Sequence, residues 1–238
     1  MLKTLSETFF SLVLPLGCEL CGTPLPARDA QGICASCQNH VSLIMPPYCA
    51  GCGRTVLEEG DRCGHCVGEY FHFDHAFGCV YYDEKMKKLL HAFKFERRKF
   101  LLPFFTGILE SFVRENLSNR GWDVAIPVPM DSAHERERGF NQARLFSAVL
   151  AKKFGKNHTP ESLRCRKAIS AQSSLKKSER KQNVEGRFFV RRAENFAFSR
   201  VLLIDDILTT GQTASACAQA LKEAGAASVS VLAFARGI

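Results

Sequence analysis

The chain has 238 residues, of which 46% are hydrophobic, and its formal net charge is +8 with an isoelectric point near 9.0. This length allows one large domain and a small one, and this hydrophobic fraction excludes a chain that lacks a buried core. The positive charge favours acidic partners, either nucleic acid or phosphorylated ligands. No apolar run approaches the roughly eighteen residues that a membrane-spanning helix needs, so we expect no stable membrane insertion.

Residues 1–17 form an opening segment for which we predict an amphipathic helix that docks on the folded protein. Its apolar side chains near one helical face are Leu2, Leu5, Phe9, Leu12 and Val13. A secretion signal is the alternative, but the apolar run is short, contains Pro15 and lacks a small-residue cleavage site. Weak membrane contact is a third interpretation. We therefore expect a cytoplasmic protein.

Residues 18–70 hold four CxxC pairs, which are separated by twelve, eleven and ten residues. The eight cysteines are Cys18, Cys21, Cys34, Cys37, Cys49, Cys52, Cys63 and Cys66. A CxxC turn presents two thiolates to one tetrahedral ion, and two such turns complete a structural zinc site. A disulfide framework would need a secreted chain, which nothing in the sequence indicates. The spacing therefore predicts two structural zinc ions.

The pairing of the four CxxC turns is left open by the spacing. The simplest arrangement joins successive turns around each zinc ion, and a cross-braced arrangement is the alternative. His65 lies inside the last pair and is a further candidate ligand, although a lone histidine in such a turn is more often exposed. A module of this length has no core without metal, and we expect its stabilising core to be separate from that of the following domain.

Residues 71–238 alternate between strand patterns and helix patterns. The predicted strands cover residues 76–82, 123–129, 186–190, 201–204 and 228–235. The predicted helices cover residues 101–116 and 141–155, and a third helix follows Gly211 and ends at Gly225. This alternation is typical of an α/β fold with a mostly parallel sheet and helices on both faces.

The stretch VLLIDDILTTGQT, residues 201–213, places charged and hydroxyl side chains between a buried strand and a helix. In open α/β sheets, ligands bind at this edge. Asp205 and Asp206 suit the vicinal hydroxyls of a sugar, or a magnesium ion approached through its water. A phosphate suits the N–H groups and hydroxyls at the helix start, which belong to Thr209, Thr210, Gly211, Gln212 and Thr213. Diol and phosphate together describe a ribose 5-phosphate, and a P-loop ATPase is disfavoured because the chain has no GxxxxGK[ST] motif.

Two cationic segments are candidates for nucleic-acid binding. Residues 164–192 contain ten Lys and Arg against two acids, and residues 85–100 interleave cations with phenylalanines. Single-stranded nucleic acids stack their bases on aromatic rings while cations follow their backbone. Alternatively, residues 164–192 cover a pyrophosphate or form a solvated surface, and the phenylalanines of residues 85–100 face the core. The candidate contacts are Lys94, Arg97, Arg98, Lys99, Lys176, Lys177, Arg180 and Lys181.

The motif at residues 201–213 resembles the phosphoribosyl-pyrophosphate (PRPP) signature of type I phosphoribosyltransferases. With the cysteine pairs and other patterns, nearly the whole chain resembles the ComF family of late competence proteins. Those patterns are Pro127–Pro129, Arg138–Gln142 (RGFNQ), Gln172, Arg180, Asn183 and Phe188. The resemblance implies a double zinc ribbon followed by a phosphoribosyltransferase-type domain. It also implies that Asp205 and Asp206 face the ribose hydroxyls, while Thr209–Thr213 surround the 5-phosphate.

The resemblance further implies a role in natural transformation, in which family members handle incoming single-stranded DNA alongside a helicase-like competence ATPase. The loop that usually meets pyrophosphate would include Pro127, Val128, Pro129, Arg136 and Arg138. Two classes of function follow: a non-catalytic DNA-handling protein that retains a PRPP-type site, and an active phosphoribosyltransferase with an unidentified acceptor. We favour the first, because structural zinc ribbons often present surfaces to nucleic acid or protein. Magnesium would accompany the phosphoribosyl ligand in either class.

Overall fold

A five-stranded parallel sheet forms the centre of the protein in the computed structural model, which describes residues 17–26, 31–166 and 186–237. Its strands are β1 (His75–Tyr81), β2 (Val124–Pro127), β3 (Asn157–His158), β6 (Arg200–Leu208) and β7 (Ser228–Arg236). Their order across the sheet is β1-β7-β6-β2-β3, and every neighbouring pair is parallel. The predicted α/β class with a parallel sheet is confirmed.

The described helices are α1 (Ala35–Asn39), α2 (Glu84–Phe95), α3 (Leu102–Phe112), α4 (Ser132–Arg138), α5 (Gln142–Phe154) and α6 (Gln212–Glu223). The three predicted helices correspond to α3, α5 and α6, and a π-helical turn at Val113–Leu117 extends α3. The bounds of α5 follow from its flanking residues. The side chain of Asn141 accepts a hydrogen bond from the N–H of Arg144, and Gly155 ends the helix in the left-handed conformation with φ 61°.

The aliphatic residues of β6 are buried on both faces, as their continuous run indicates. Leu202 and Ile204 face a layer that includes the phenylalanines of α2, α3 and α5. Val201 and Leu203 face the layer that contains α6, where Cys217 is fully buried. The sheet is therefore covered by helices on both sides.

The predicted strand at residues 186–190 does not join the central sheet. It forms β5 (Phe188–Val190), which pairs antiparallel with β4 (Leu163–Cys165) in a separate two-stranded sheet that packs against α6. Phe188 is buried and Phe189 is exposed, so only one face of β5 is covered. A strand inside a parallel sheet needs both faces covered, which explains why this segment pairs elsewhere.

The cysteine-rich module packs directly on the sheet domain. Its backbone at residues 42–44 pairs with β1, where Ile44 N–H donates to the carbonyl of Cys79 and Tyr81 N–H to that of Ser42, each at 3.0 Å. Leu25 and Ile33 belong to the same buried cluster as the phenylalanines of α2 and α3. The expectation of a separate core is therefore wrong, because the module shares its apolar side chains with the sheet domain.

The boundaries predicted at residues 17/18 and 70/71 stay a prediction. The predicted helix at residues 1–17 lies outside the described residues except for Gly17, which pairs with Pro24. Across the described ranges, no helix is long and apolar enough to cross a membrane.

Candidate functional site

The eight predicted cysteine ligands form two clusters, and successive CxxC turns share a cluster. One contains Cys18, Cys21, Cys34 and Cys37, and the other contains Cys49, Cys52, Cys63 and Cys66. Within each cluster the Sγ atoms all lie within 4.8 Å of one another. The Sγ atoms of Cys21 and Cys34 are 3.7 Å apart, and those of Cys52 and Cys63 are 3.6 Å apart. A tetrahedron of Zn–S bonds of about 2.3 Å has edges close to these distances.

Backbone N–H groups support the thiolate form of Cys49. In the second cluster, Cys63 N–H and Gly51 N–H point at Cys49 Sγ over 3.2 and 3.4 Å. Burial raises the pKa of the Cys49 thiol, but these donors and Cys52 N–H outweigh it and lower the pKa to about 7. His65 is exposed and belongs to neither cluster. The residues fit two structural zinc ions with sequential pairing, and the cross-braced alternative is excluded.

A cavity of about 290 Å³ opens at the carboxyl edge of the sheet, beside the ends of β2 and β6. The strand β2 ends at Pro127, opposite Ile204, whereas β6 continues along β7 to Leu208. The sequence pattern suggested that Asp205 and Asp206 follow the strand. In the structure they lie within β6. Because β2 has already ended, their carboxyl groups reach the cavity.

Both aspartates have partners in the cavity. Lys94 Nζ lies 2.6 Å from Asp206 Oδ2, and the two side chains are 12% and 17% exposed. Asp205 Oδ1 accepts a hydrogen bond of 2.8 Å from the N–H of Asp206. Burial raises the pKa of the Asp205 carboxyl well above its ordinary value, the charge of Asp206 adds to the rise, and Lys94 opposes it. Lys94, predicted to contact nucleic acid, thus belongs to the cavity and not to an exposed cationic surface.

The predicted phosphate loop, residues 209–213, connects β6 to the first turn of α6. Thr209, Thr210 and Thr213 are exposed, α6 begins at Gln212 with its first N–H groups free of helical partners, and Thr213 is the residue of this loop that lines the cavity. Gly211 adopts φ 81°, and a Cβ there would lie 3.1 Å from the ring of Phe71. Only glycine fits both the backbone angle and this contact.

Arg236, the last residue of β7, is hydrogen-bonded to the start of the phosphate loop. Arg236 is 3% exposed, and its Nη1 donates to the carbonyl of Leu208 over 2.5 Å and also to that of Thr209. Burial raises the pKa of the Cys52 thiol in the second zinc cluster, and the nearby Arg236 guanidinium opposes that rise. One buried arginine therefore connects a predicted zinc site to the predicted phosphate loop, a link that the sequence analysis did not reveal.

The loop after β2 and the start of α5 form the opposite wall. Val128, Pro129 and Arg138 line the cavity, as predicted for a pyrophosphate loop. Pro127 lies within β2, and Arg136 is exposed on α4 and does not line the cavity. Arg138 Nη1 donates to Gln142 Oε1 over 2.9 Å. Gln142 is 1% exposed and its Nε2 has no hydrogen-bond partner, which leaves a donor beside the cavity for a ligand.

The two-stranded sheet β4–β5, whose cavity-lining residues belong to the predicted cationic segment 164–192, contributes a third wall. It places Cys165, Arg187 and Phe188 at the cavity, and Arg187 Nε donates to Cys165 Sγ over 3.2 Å. The predicted residues between these strands lie outside the described residues: Gln172, Lys176, Lys177, Arg180, Lys181 and Asn183. Their assigned roles stay predictions.

An exposed cationic strip lies next to the cavity at the end of α2. Arg97, Arg98 and Lys99 are exposed, and the ring of Phe95 is 61% exposed, with the Arg138 guanidinium 4.8 Å from its centre. Phe93 is fully buried, so the alternative of a core-facing ring is confirmed for that residue and not for Phe95. We call Phe95 and Arg97–Lys99 the α2 strip.

Two cysteine clusters on a phosphoribosyltransferase-type sheet define the class of protein, and comparisons with known proteins agree. The family model of the double zinc ribbon domain matches residues 9–67. The family model of the phosphoribosyl transferase domain matches residues 141–237. Adenine phosphoribosyltransferase from Saccharomyces cerevisiae aligns with 58% of this chain and 69% of its own at 16% identity, with a TM-score of 0.38, a likeness too low to carry an argument.

Curated relatives match over most of their length. Competence protein F of Haemophilus influenzae is 27% identical over 86% of this chain and 90% of its own. DNA utilization protein YhgH of Salmonella typhimurium is 29% identical over 94% and 99%. Competence protein ComFC of Bacillus subtilis is 28% identical over 85% and 83%. With both domain matches, these relatives identify the chain as a member of the ComF family of competence proteins.

Proposed function

We propose that this protein handles incoming single-stranded DNA during natural transformation and binds a PRPP or ribose 5-phosphate-type ligand at the carboxyl edge of its sheet. One observation carries the ligand site: the aspartates of β6, Thr213 of the phosphate loop and Gln142 with its unpartnered Nε2 all line one cavity. The names of the relatives, competence and DNA utilization proteins, support the DNA part.

Each part of such a ligand has a matching group. The phosphate suits the first turn of α6, where N–H groups and the positive end of the helix dipole favour an anion. Ribose hydroxyls suit the carboxyl groups of Asp205 and Asp206 as donors of hydrogen bonds. A pyrophosphate suits Arg138 and Arg187, which line the same cavity. The ligand would thus lie across the cavity from α6 toward α5.

Replacing Thr210 with valine should weaken ribose 5-phosphate binding by about 1–3 kcal/mol, because it deletes a hydroxyl at the phosphate without changing the side-chain volume much. Isothermal titration calorimetry measures the loss. The matched control is Thr106→Val, which removes a hydroxyl bonded inside α3 and should leave the affinity unchanged. Equal affinities of wild type and Thr210→Val would argue against a phosphate at this loop.

An active phosphoribosyltransferase is the second candidate, favoured by the wall that β4–β5 adds to the cavity. An enzyme would release pyrophosphate from PRPP when given its acceptor. We expect binding without turnover on common nucleobases. Pyrophosphate release with a defined acceptor, abolished in the Asp205→Asn/Asp206→Asn variant, would favour the enzyme instead.

The α2 strip supports the DNA part of the proposal. An exposed aromatic ring beside Arg97 and Lys99 offers a surface for a stacked base and its backbone phosphates, whereas Arg98 is ion-paired with Glu19 and Glu96. The strip lies beside the cavity, as the contact of Arg138 with Phe95 indicates. Within this proposal the protein acts in the cytoplasm with a helicase-like competence ATPase as its partner, and co-purification of the two from competent cells would test that step.

Single-stranded DNA binding should weaken as salt rises, with a linear fall of log K against log salt. Changing Arg97 and Lys99 together to glutamine should flatten this slope by roughly two phosphate contacts. The control pair is Lys152→Gln/Lys153→Gln, at the end of α5 and thus at the opposite edge of the sheet. The fourfold change at Lys176, Lys177, Arg180 and Lys181 tests the segment predicted from sequence. The DNA proposal would be contradicted if neither the Arg97/Lys99 change nor the fourfold change altered the slope.

A further inference from the structure

The aspartates at the end of β6 already have a cation beside them. Lys94 Nζ lies 2.6 Å from Asp206 Oδ2, and both side chains are largely shielded from water. Lys94 reaches this position from the last turn of α2, and its neighbours Ala92 and Phe93 are anchored in the core. A short, shielded ion pair on a fixed helix differs from an exposed surface pair, which contributes little and moves freely.

Cationic side chains already lie beside the acidic groups of the cavity. Three cationic side chains line it, Lys94, Arg138 and Arg187, against three carboxyl groups, Asp131, Asp205 and Asp206. Protein magnesium sites use carboxylates, ligand phosphates and several retained waters. Here the lysine ammonium contacts Asp206 Oδ2, one of the oxygens that a magnesium-bound water would use. The residues therefore do not fit the magnesium ion that the sequence analysis predicted.

We propose that the Lys94 ammonium supplies the positive charge that a divalent cation would otherwise provide, so that this site binds a phosphoribosyl pyrophosphate-type ligand without magnesium. The inference rests on the proposed ligand site and specifies how that site neutralises its ligand. A lysine ammonium is a compact point charge with three donors, so it can contact Asp206 and a ligand oxygen together. Arg138 and Arg187 supply the remaining positive charge from the other walls. Binding then does not depend on the concentration of free metal.

The test is calorimetric titration of the full-length protein with PRPP, once with magnesium and once with EDTA. The wild-type dissociation constants in the two buffers should agree within about twofold. Lys94→Met should bind at least about tenfold more weakly in EDTA, because a charge-assisted contact is lost. Magnesium should restore much of that loss, because the aspartates then lack their lysine partner. Lys94→Arg keeps the charge and should remain independent of magnesium.

The control is Lys87→Met, which removes an exposed lysine from the same helix and should bind PRPP as the wild type does. Wild-type binding that requires magnesium would overturn the inference and leave the ligand site standing. Wild-type binding in neither buffer would overturn the ligand site itself, and the inference with it. If thermal unfolding shows that Lys94→Met is not folded, the wild-type comparison of the two buffers still decides.

Discussion

Replacing Arg236 with methionine is expected to abolish measurable ribose 5-phosphate binding and to lower the free energy of unfolding by about 1–3 kcal/mol for each acceptor left without a donor. The guanidinium is 3% exposed, donates to the carbonyls of Leu208 and Thr209, and lies near enough to Cys52 to oppose the burial-driven rise in the pKa of that thiol. Methionine fills much of the volume but leaves these acceptors without a donor, so the loop before Gly211 loses its fixed position. Calorimetric titration and chemical denaturation measure the two effects.

Arg200→Met is the matched control for that change. Arg200 also lies at the end of a strand and is ion-paired, but its side chain is 51% exposed and its partner is Asp123. Removing this exposed, bidentate pair should cost about 1 kcal/mol and leave ligand binding intact. Arg236→Lys keeps the positive charge without the fork of donors and should fall between the two. If the changes at positions 200 and 236 had equal effects on ligand affinity and on the free energy of unfolding, Arg236 would not position the loop.

Purified protein should contain about two equivalents of zinc, since each cluster of four thiolates forms one tetrahedral site. Cys21→Ser and Cys52→Ser should each lower the content to about one equivalent. Because both clusters pack on the sheet domain, both changes should lower the free energy of unfolding of the whole chain, by about 3 kcal/mol or more. Metal analysis and denaturation measure these results.

The two cysteine variants should differ in ligand binding. Cys52 lies near Arg236, and the ring of Phe71, which follows the second cluster, lies 3.1 Å from the place that a Cβ of residue 211 would take. Cys52→Ser should therefore weaken ribose 5-phosphate binding, whereas Cys21→Ser, at an exposed position in the first cluster, should not. A zinc content near zero with the cysteines in disulfides would contradict the metal assignment. Identical ligand affinities of the two variants would contradict the link between zinc and loop.

The features that sequence reasoning identified are those whose chemistry is local. A CxxC turn and the run from Asp205 to Thr213 each bring their functional atoms together within a few residues, so their spacing predicts their geometry. The caps of α5 at Asn141 and Gly155 are equally local. The pairing of zinc ligands needed the structure, because spacing allows both arrangements.

The features that it missed depend on contacts between distant segments. Lys94 reads as part of a cationic run, and only the packing of α2 beside β6 turns it toward Asp206. Arg236 reads as the end of an apolar strand, and nothing near it in the sequence indicates a buried partner. The predicted strand at residues 201–204 was too short for the same reason. Pairing with β7 extends β6 past Ile204, and the charged residues there are not typical of a buried strand.

The backbone pairing of residues 42–44 with β1 has a consequence for solubility. β1 ends the sheet on one side, and an uncovered edge strand presents N–H and C=O groups that attract strands of other molecules. At the opposite edge of the sheet, β3 is only two residues long, so it offers few backbone groups with which another strand could pair. The covering segment lies between the two cysteine clusters, so its position depends on both metal sites. Chelation of zinc would thus expose a templating edge, and metal-starved cells should accumulate this protein as aggregates rather than as a soluble, inactive monomer.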